Sequence, residues 1–299
     1  MKMFVFQGKS SNFGDDLNHW LWSRLLPNFF DEDDNTIFLG IGSIIYDNHP
    51  PLAKKIVFGA GYAGYTRLPK IDETWEFRFV RGKQTAKAVG VPEALAIGDA
   101  GILIRLTDLP NYEKRHDVSF MPHFESAENG SWEVICQKLG INFIDPRWDV
   151  DRVLENMLSS RLMISEAMHG IIIADALRIP WRAVRPLDPN HHAKWADWAS
   201  VLDLDVVFSN VGPSNILEWT MTKFWKTRRV IYWLRKQRQR LFLLGGKTVL
   251  PSTVRQLRDL ANSPGQLSRD ENIQKVTEEM REKLEELKRD YGNVSQKRS

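Results

Sequence analysis

Short, unbroken apolar runs recur along the first two-thirds of the chain, and each stops at a glycine or polar turn before a helical pattern begins. A strand covered on both faces must be apolar at nearly every position, whereas a strand with one wet face alternates. These runs therefore predict parallel sheets flanked by helices. Residues 3–7, Thr36–Leu39, Lys55–Phe58, Glu76–Val80 and the short run Ala94–Ile97 form the first series, with helices over Leu17–Leu26 and Gln84–Val89. A second series places strands at Asp117–Met121, Asn142–Ile144, Arg161–Ser165 and Trp181–Val184. Its helices fall at Gly130–Leu139, Asp149–Met157 and Ala167–Leu177. Alternation of this kind argues for a doubly wound α/β domain over roughly the first 110 residues, followed by a second α/β lobe of similar size.

The expected architecture is α/β, with two Rossmann-like lobes facing a cleft and a helical C-terminal extension. The lobes are assigned to residues 1–112 and 113–215, joined through Thr107–Arg115, and the extension to 216–299. Charge divides along the same line. Residues 1–215 carry 22 Lys/Arg against 28 Asp/Glu, and residues 216–299 carry 19 against 10. A change of sign points to a separate task for the last third, such as contact with an anionic surface. Within 216–242, Trp219, Phe224, Trp225, Ile231 and Trp233 mix with eight basic side chains, without separating into two faces. Packing onto the lobes and peripheral membrane contact both remain open there. From Asp270 onward, Ile273, Val276, Met280, Leu284, Leu287 and Tyr291 recur at three- and four-residue steps. They form one narrow stripe, which needs a partner in the chain's own body or in a second copy. Glu279 with Lys283, and Glu285 with Arg289, are spaced as surface pairs.

Cys136 is the only cysteine, so no intrachain disulfide forms, and a reducing, cytoplasmic setting is expected. The N-terminal apolar run is too short for a signal peptide, and no stretch is long enough to span a bilayer. No metal site is expected. His191 and His192 are adjacent rather than three or four apart, and no HExxH element supports them. The basic aromatic stretch has no nucleic-acid-binding module around it, so no nucleic-acid partner is expected.

Ligands of open α/β sheets bind at the carboxyl ends of strands, and helix N-termini suit anions. Residues 161–181 place Ser165 at a strand end and His169 in the first turns of the next helix. The histidine can donate a proton or hold an anion there, and spacing alone equally allows a bond to a backbone carbonyl. Residues 10–16 (SSNFGDD) repeat the geometry at the first strand. One of Asp15 and Asp16 is expected to cap the helix, leaving the other for a hydroxyl-binding or catalytic role. Arg81 follows a strand and precedes a helix, where a guanidinium can reach a phosphate or carboxylate, or make an ordinary ion pair. His123 holds the equivalent position in the second lobe. Lys194 lies beyond the last core strand. The glycine turns at 40–42 and 59–64 match no dinucleotide-binding pattern.

Eight pieces in order carry a family resemblance: NFGDDLN (12–18), GIGSII (40–45), VFGAGYAGY (57–65), VRGKQTAKAVG (80–90), ALAIGD (94–99), FMPHFE (120–125), SEAMHGIIIADALRIPW (165–181) and KWADW (194–198). Over residues 4–205 the chain resembles the polysaccharide pyruvyl transferase family, in its exopolysaccharide ketal-forming branch. The resemblance implies a two-lobed fold of the glycosyltransferase-B kind and no cofactor, with phosphoenolpyruvate as donor. It places the family's histidine on His169, its arginine on Arg81 and its lysine on Lys194. His123 matches the exopolysaccharide branch alone, Ser165 joins the donor-binding set, and Glu166 receives no role.

The implied reaction makes a ketal bridging two hydroxyls of one sugar. Arg81 and Lys194 would hold the donor's phosphate and carboxylate, and His169 would act as general acid or stabilise the leaving phosphate. Asp15 or Asp16 would accept a hydroxyl proton. The implied acceptor is a lipid-linked oligosaccharide at the inner membrane face. Two other readings stand beside this one: a nucleotide-sugar glycosyltransferase of the same shape, and a non-catalytic sugar-binding or scaffold protein. Homo-oligomerisation is left open.

Overall fold

A computed structural model describes residues 1–8, 10–187, 192–223 and 249–295. The chain divides into two compact units, each built from separated stretches. Residues 1–110, 193–206 and 268–299 form the first, and residues 111–192 and 207–267 the second.

In the first unit, β1 (Lys2–Phe4), β2 (Thr36–Leu39), β3 (Lys54–Phe58) and β4 (Trp75–Phe79) form an all-parallel sheet in the order β1-β2-β3-β4. The apolar runs of β2 and β3 are buried from Ile37 to Leu39 and from Ile56 to Phe58. That is why these runs lack alternation. Only the β1–β2 crossover carries a helix, α1 (Phe13–Leu25). Among the described residues this sheet grows in one direction, so the reversal that makes a fold doubly wound is found in the other unit. α2 (Lys83–Val89) follows β4 and ends on Gly90 in the left-handed region, φ 75°. Two 3₁₀ segments follow at Glu93–Leu95 and Ala100–Leu106.

The second unit holds β5 (His116–Met121), α3 (Phe124–Asn129), α4 (Trp132–Leu139), β6 (Asn142–Phe143), α5 (Val150–Leu158) and β7 (Ser160–Ser165). α6 (Met168–Ala176) and β8 (Trp181–Val184) follow. α7 (His192–Ala199) leads into the first unit's middle stretch, and β9 (Phe208–Ser209) returns to the second. The five strands pair in parallel in the order β6-β5-β7-β8-β9. After β5 the chain steps outward to β6 and then returns to the other side of β5 as β7. The sheet's direction therefore reverses between β5 and β7, and the carboxyl ends of those strands form its topological switch point.

α8 (Ile216–Lys223) and α9 (Pro251–Ala261) belong to the second unit, and α10 (Asp270–Ser295) to the first. The stripe on α10 finds its partner within its own chain: Ile273, Met280, Leu284 and Leu287 are at most 2% exposed, and the helix packs on the Ala100–Leu106 segment. Its ion pairs differ from those expected from spacing. Glu279 meets Lys275, Lys283 meets Glu286, and Lys288 meets Glu285. Of the basic stretch 216–242, only 216–223 is described; Phe224, Trp225, Ile231 and Trp233 lie outside the described residues, as does His191. No helix among the described residues is long and apolar enough to cross a membrane.

Candidate functional site

The first unit gathers its polar side chains where β1, β2 and β4 end. α1 starts at Phe13, four residues earlier than the apolar pattern suggests, because Asn12 takes the cap position in extended backbone. Asp15 and Asp16 therefore sit in the first turn, not at the cap, and both their N–H groups donate to the Asn12 carbonyl at 2.9 Å. Carboxylates there are favoured by the helix dipole. The Asn12 amide donates to Asp15 Oδ2 at 2.8 Å, and the Ser11 hydroxyl donates to Asp16. A polar cavity of about 340 Å³ opens at this loop, lined by Phe6, Gln7, Asn12, Asp15, Asp16 and His19 among others. Asn18, one turn further on, is 1% exposed and clamps the turn after β2, accepting from Ile41 N at 2.9 Å and donating to Ile41 O at 3.0 Å. Gly40 leaves the room for this: a Cβ there would lie 2.8 Å from Asn18 Oδ1 and 2.6 Å from Trp22 Nε1.

Arg81 ends up inside this unit, 1% exposed. Its Nε donates to Asp197 Oδ2 at 2.9 Å, Nη1 to Ser43 Oγ at 2.7 Å and Nη2 to the Tyr62 carbonyl at 3.3 Å. Asp197, also 1% exposed, lies on α7 and accepts further from Thr85 N at 2.9 Å and Thr85 Oγ1 at 2.6 Å. Lys194 stands one turn before Asp197 on the same helix and is half-buried. Asp197 was not singled out from the sequence; its place between Trp195 and Trp198, both 0% exposed, is the only local hint that it faces inward.

In the second unit, the switch point collects His123, Ser165, Glu166 and His169. Ser165 pairs with Met121 in the sheet register and is fully buried. Its hydroxyl faces the carbonyls of Met121 and Ala167, at 3.0 and 2.9 Å, and accepts from Ala167 N–H at 3.0 Å. His169 is the second residue of α6 and is half-buried. His123 occupies the N-cap position of α3 and packs its ring on Phe124, with centroids 4.5 Å apart.

Glu166 binds the site's loops together, a role the sequence did not signal. Its carboxylate accepts from His123 N at 2.9 Å and Leu187 N at 3.0 Å, so one side chain ties the chain after β5 to the chain after β8. Burial raises its pKa against the pull of those donors. Glu218, on α8, accepts from Ser214 and from Trp132 Nε1 at 2.9 Å. Burial, with repulsion from Glu166 second, lifts its pKa to about 7. Among the described residues no group of three or more His, Cys, Asp or Glu side chains is placed to hold a metal ion.

These features define an α/β protein with two parallel sheets and polar side chains gathered at the carboxyl ends of the strands. The polysaccharide pyruvyl transferase domain matches residues 11–188, and the chain belongs to that family. It is 41% identical over 208 residues to the succinoglycan biosynthesis protein ExoV of Rhizobium meliloti (strain 1021). That similarity covers 68% of this chain and 65% of the relative, so the chain spans just under two-thirds of the relative's length. No solved structure matches the chain.

Proposed function

We propose that the chain transfers a pyruvyl group from phosphoenolpyruvate to two hydroxyls of one sugar in exopolysaccharide synthesis. The observation that carries this reading is His169 in the first turn of α6, at the switch point of the second sheet, within the segment matched by the family.

The reaction adds a proton to C3 of the enol, leaving an oxocarbenium centre at C2 that the first hydroxyl attacks. The C2–O bond to phosphate then breaks, and the second hydroxyl closes the ketal. Two hydroxyl protons are released, one proton is consumed at C3, and the other leaves on hydrogen phosphate. His169 supplies the proton as general acid. Lys194 meets the donor's anionic groups, with His123 beside the same donor. Arg81 and Ser165, both enclosed in packing, shape the donor site. The acceptor sugar enters the cavity at Asp15 and Asp16, one of which takes a hydroxyl proton, and Phe6, 49% exposed, offers the sugar an apolar face.

The same reading includes two lobes facing a cleft in the glycosyltransferase-B manner, and a lipid-linked oligosaccharide acceptor approached through the basic 216–242 stretch. The test is phosphate release from phosphoenolpyruvate with a panel of pyranoside acceptors, with the ketal methyl group followed by NMR. A protein that neither gains thermal stability from phosphoenolpyruvate nor releases phosphate with any acceptor would rule the reading out.

A further inference from the structure

We propose that Arg81 is a positioning residue: paired with Asp197, it locks α7 so that Lys194 is presented to the donor, and it does not itself contact the donor. This rests on the reading of phosphoenolpyruvate as donor.

Three observations point the same way. The guanidinium is 1% exposed and donates to Asp197, Ser43 and the Tyr62 carbonyl. So little of it is exposed that an anionic donor could reach it only if the surrounding packing opened. Second, Asp197 pairs with the arginine inside the packing, both 1% exposed, and Lys194, three residues earlier on the same helix, is only half-buried. Third, glycines make room on both sides of the pair. A Cβ on Gly61 would lie 2.1 Å from Arg81 Cζ, and one on Gly82 would lie 1.9 Å from the Asp197 carbonyl oxygen. The pieces GAGYAG, VRGKQT and KWADW are thus parts of one buried junction.

A buried ion pair adds little net stability over an apolar pair of the same volume, because desolvation offsets the attraction. What such a pair provides here is a fixed register. Asp197 accepts from Arg81 and twice from Thr85, which fixes the rotation of α7 and hence the direction of Lys194. Thr85 Oγ1 in turn accepts from Tyr62 N at 3.0 Å. Arg81 and Thr85 therefore join the turns after β2 and β3 to the lysine's helix.

The test is a double-mutant cycle read by phosphoenolpyruvate affinity of the full chain, with melting temperature recorded for every variant. Asp197→Asn and the gentler Thr85→Val, which keeps the fold if the first does not, are each combined with Lys194→Ala. The expected result is that Lys194→Ala weakens binding about tenfold or more, and each junction variant alone by about three- to tenfold. In the Lys194→Ala background the same junction changes add less than about twofold, because they act through a side chain already removed. Full additivity would overturn the proposal, and so would Thr85→Val and a folded Asp197→Asn that both bind like the unaltered protein. An unaltered protein that does not bind phosphoenolpyruvate would instead overturn the donor reading, and this inference with it.

Discussion

The Tyr291 hydroxyl near the end of α10 donates to Glu76 on edge strand β4 across 2.7 Å, joining residues 215 positions apart. Lys54 and Arg78 pair with the same carboxylate, and Arg78 also reaches Asp290. Four charged groups and one phenol thus fasten the last helix to the edge of the first sheet. Burial beneath them does most of the holding. Met280→Ala is expected to lower unfolding free energy by about 2–5 kcal/mol, and Tyr291→Phe by about 1 kcal/mol, measured by urea denaturation. A Met280→Ala protein as stable as the original would mean that α10 does not dock on the Ala100–Leu106 segment.

Stability should fall as pH rises through the range set by Glu218. Its pKa moves from 4.5 to about 7 on folding. Between those values the folded chain keeps a proton that the unfolded chain has released, so raising the pH favours unfolding. The loss levels off above the folded value and amounts to about 3 kcal/mol at most. Glu166, raised in the same direction, steepens the slope. Thermal melts from pH 4.5 to 8 should show this decline, and Glu218→Gln should flatten it. An unchanged slope in that variant would assign the dependence elsewhere.

Gly61 tests whether space or backbone freedom explains the glycine turn after β3. Its φ is not among the positive values, so alanine is tolerated by the backbone there. Its Cβ would lie 2.1 Å from Arg81 Cζ. Gly61→Ala should therefore cost about 1–3 kcal/mol as overpacking. At Gly64, φ 81° with nothing within 4 Å, alanine meets backbone strain instead. Equal stability of Gly61→Ala and the original chain in guanidinium would contradict the enclosed arginine.

For His169, removal of a general acid should reduce turnover by about 100- to 10,000-fold, with phosphoenolpyruvate affinity changed far less. Phosphate release by His169→Ala and His169→Gln separates the two quantities. Turnover within about threefold of the original would exclude the proton-transfer role.

The strands were the most legible part of this chain. β2 and β8 occupy the bounds their apolar runs predict, Thr36–Leu39 and Trp181–Val184, because enclosure on both faces leaves a composition signal. α1 was harder: its first turn, FGDD, is polar enough to read as loop, although Phe13 within it is 1% exposed. The segment Ala100–Leu106 was missed because AGILIRL has the composition of a strand, and α3 because FESAEN has little apolar periodicity. The placement of His169 at the start of the helix after β7 was visible from strand-to-helix spacing. The Arg81–Asp197 pair was not, since the partners are 116 positions apart and local pattern carries no record of such distances. Glu166 receives no role from the sequence for a related reason: its partners are the backbone N–H groups of His123 and Leu187, which every sequence position can supply.

The first unit is assembled from three stretches, with the second unit's residues lying between them. During synthesis on the ribosome, its sheet emerges early, but α7 and α10 follow only after most of the second unit has left the exit tunnel. Burial of Gly98 against Met280 must wait until the chain has been made past residue 280. The early sheet is thus held incomplete, with apolar surface uncovered, while the intervening residues of the second unit are made, and this interval is when chaperone capture has most to protect.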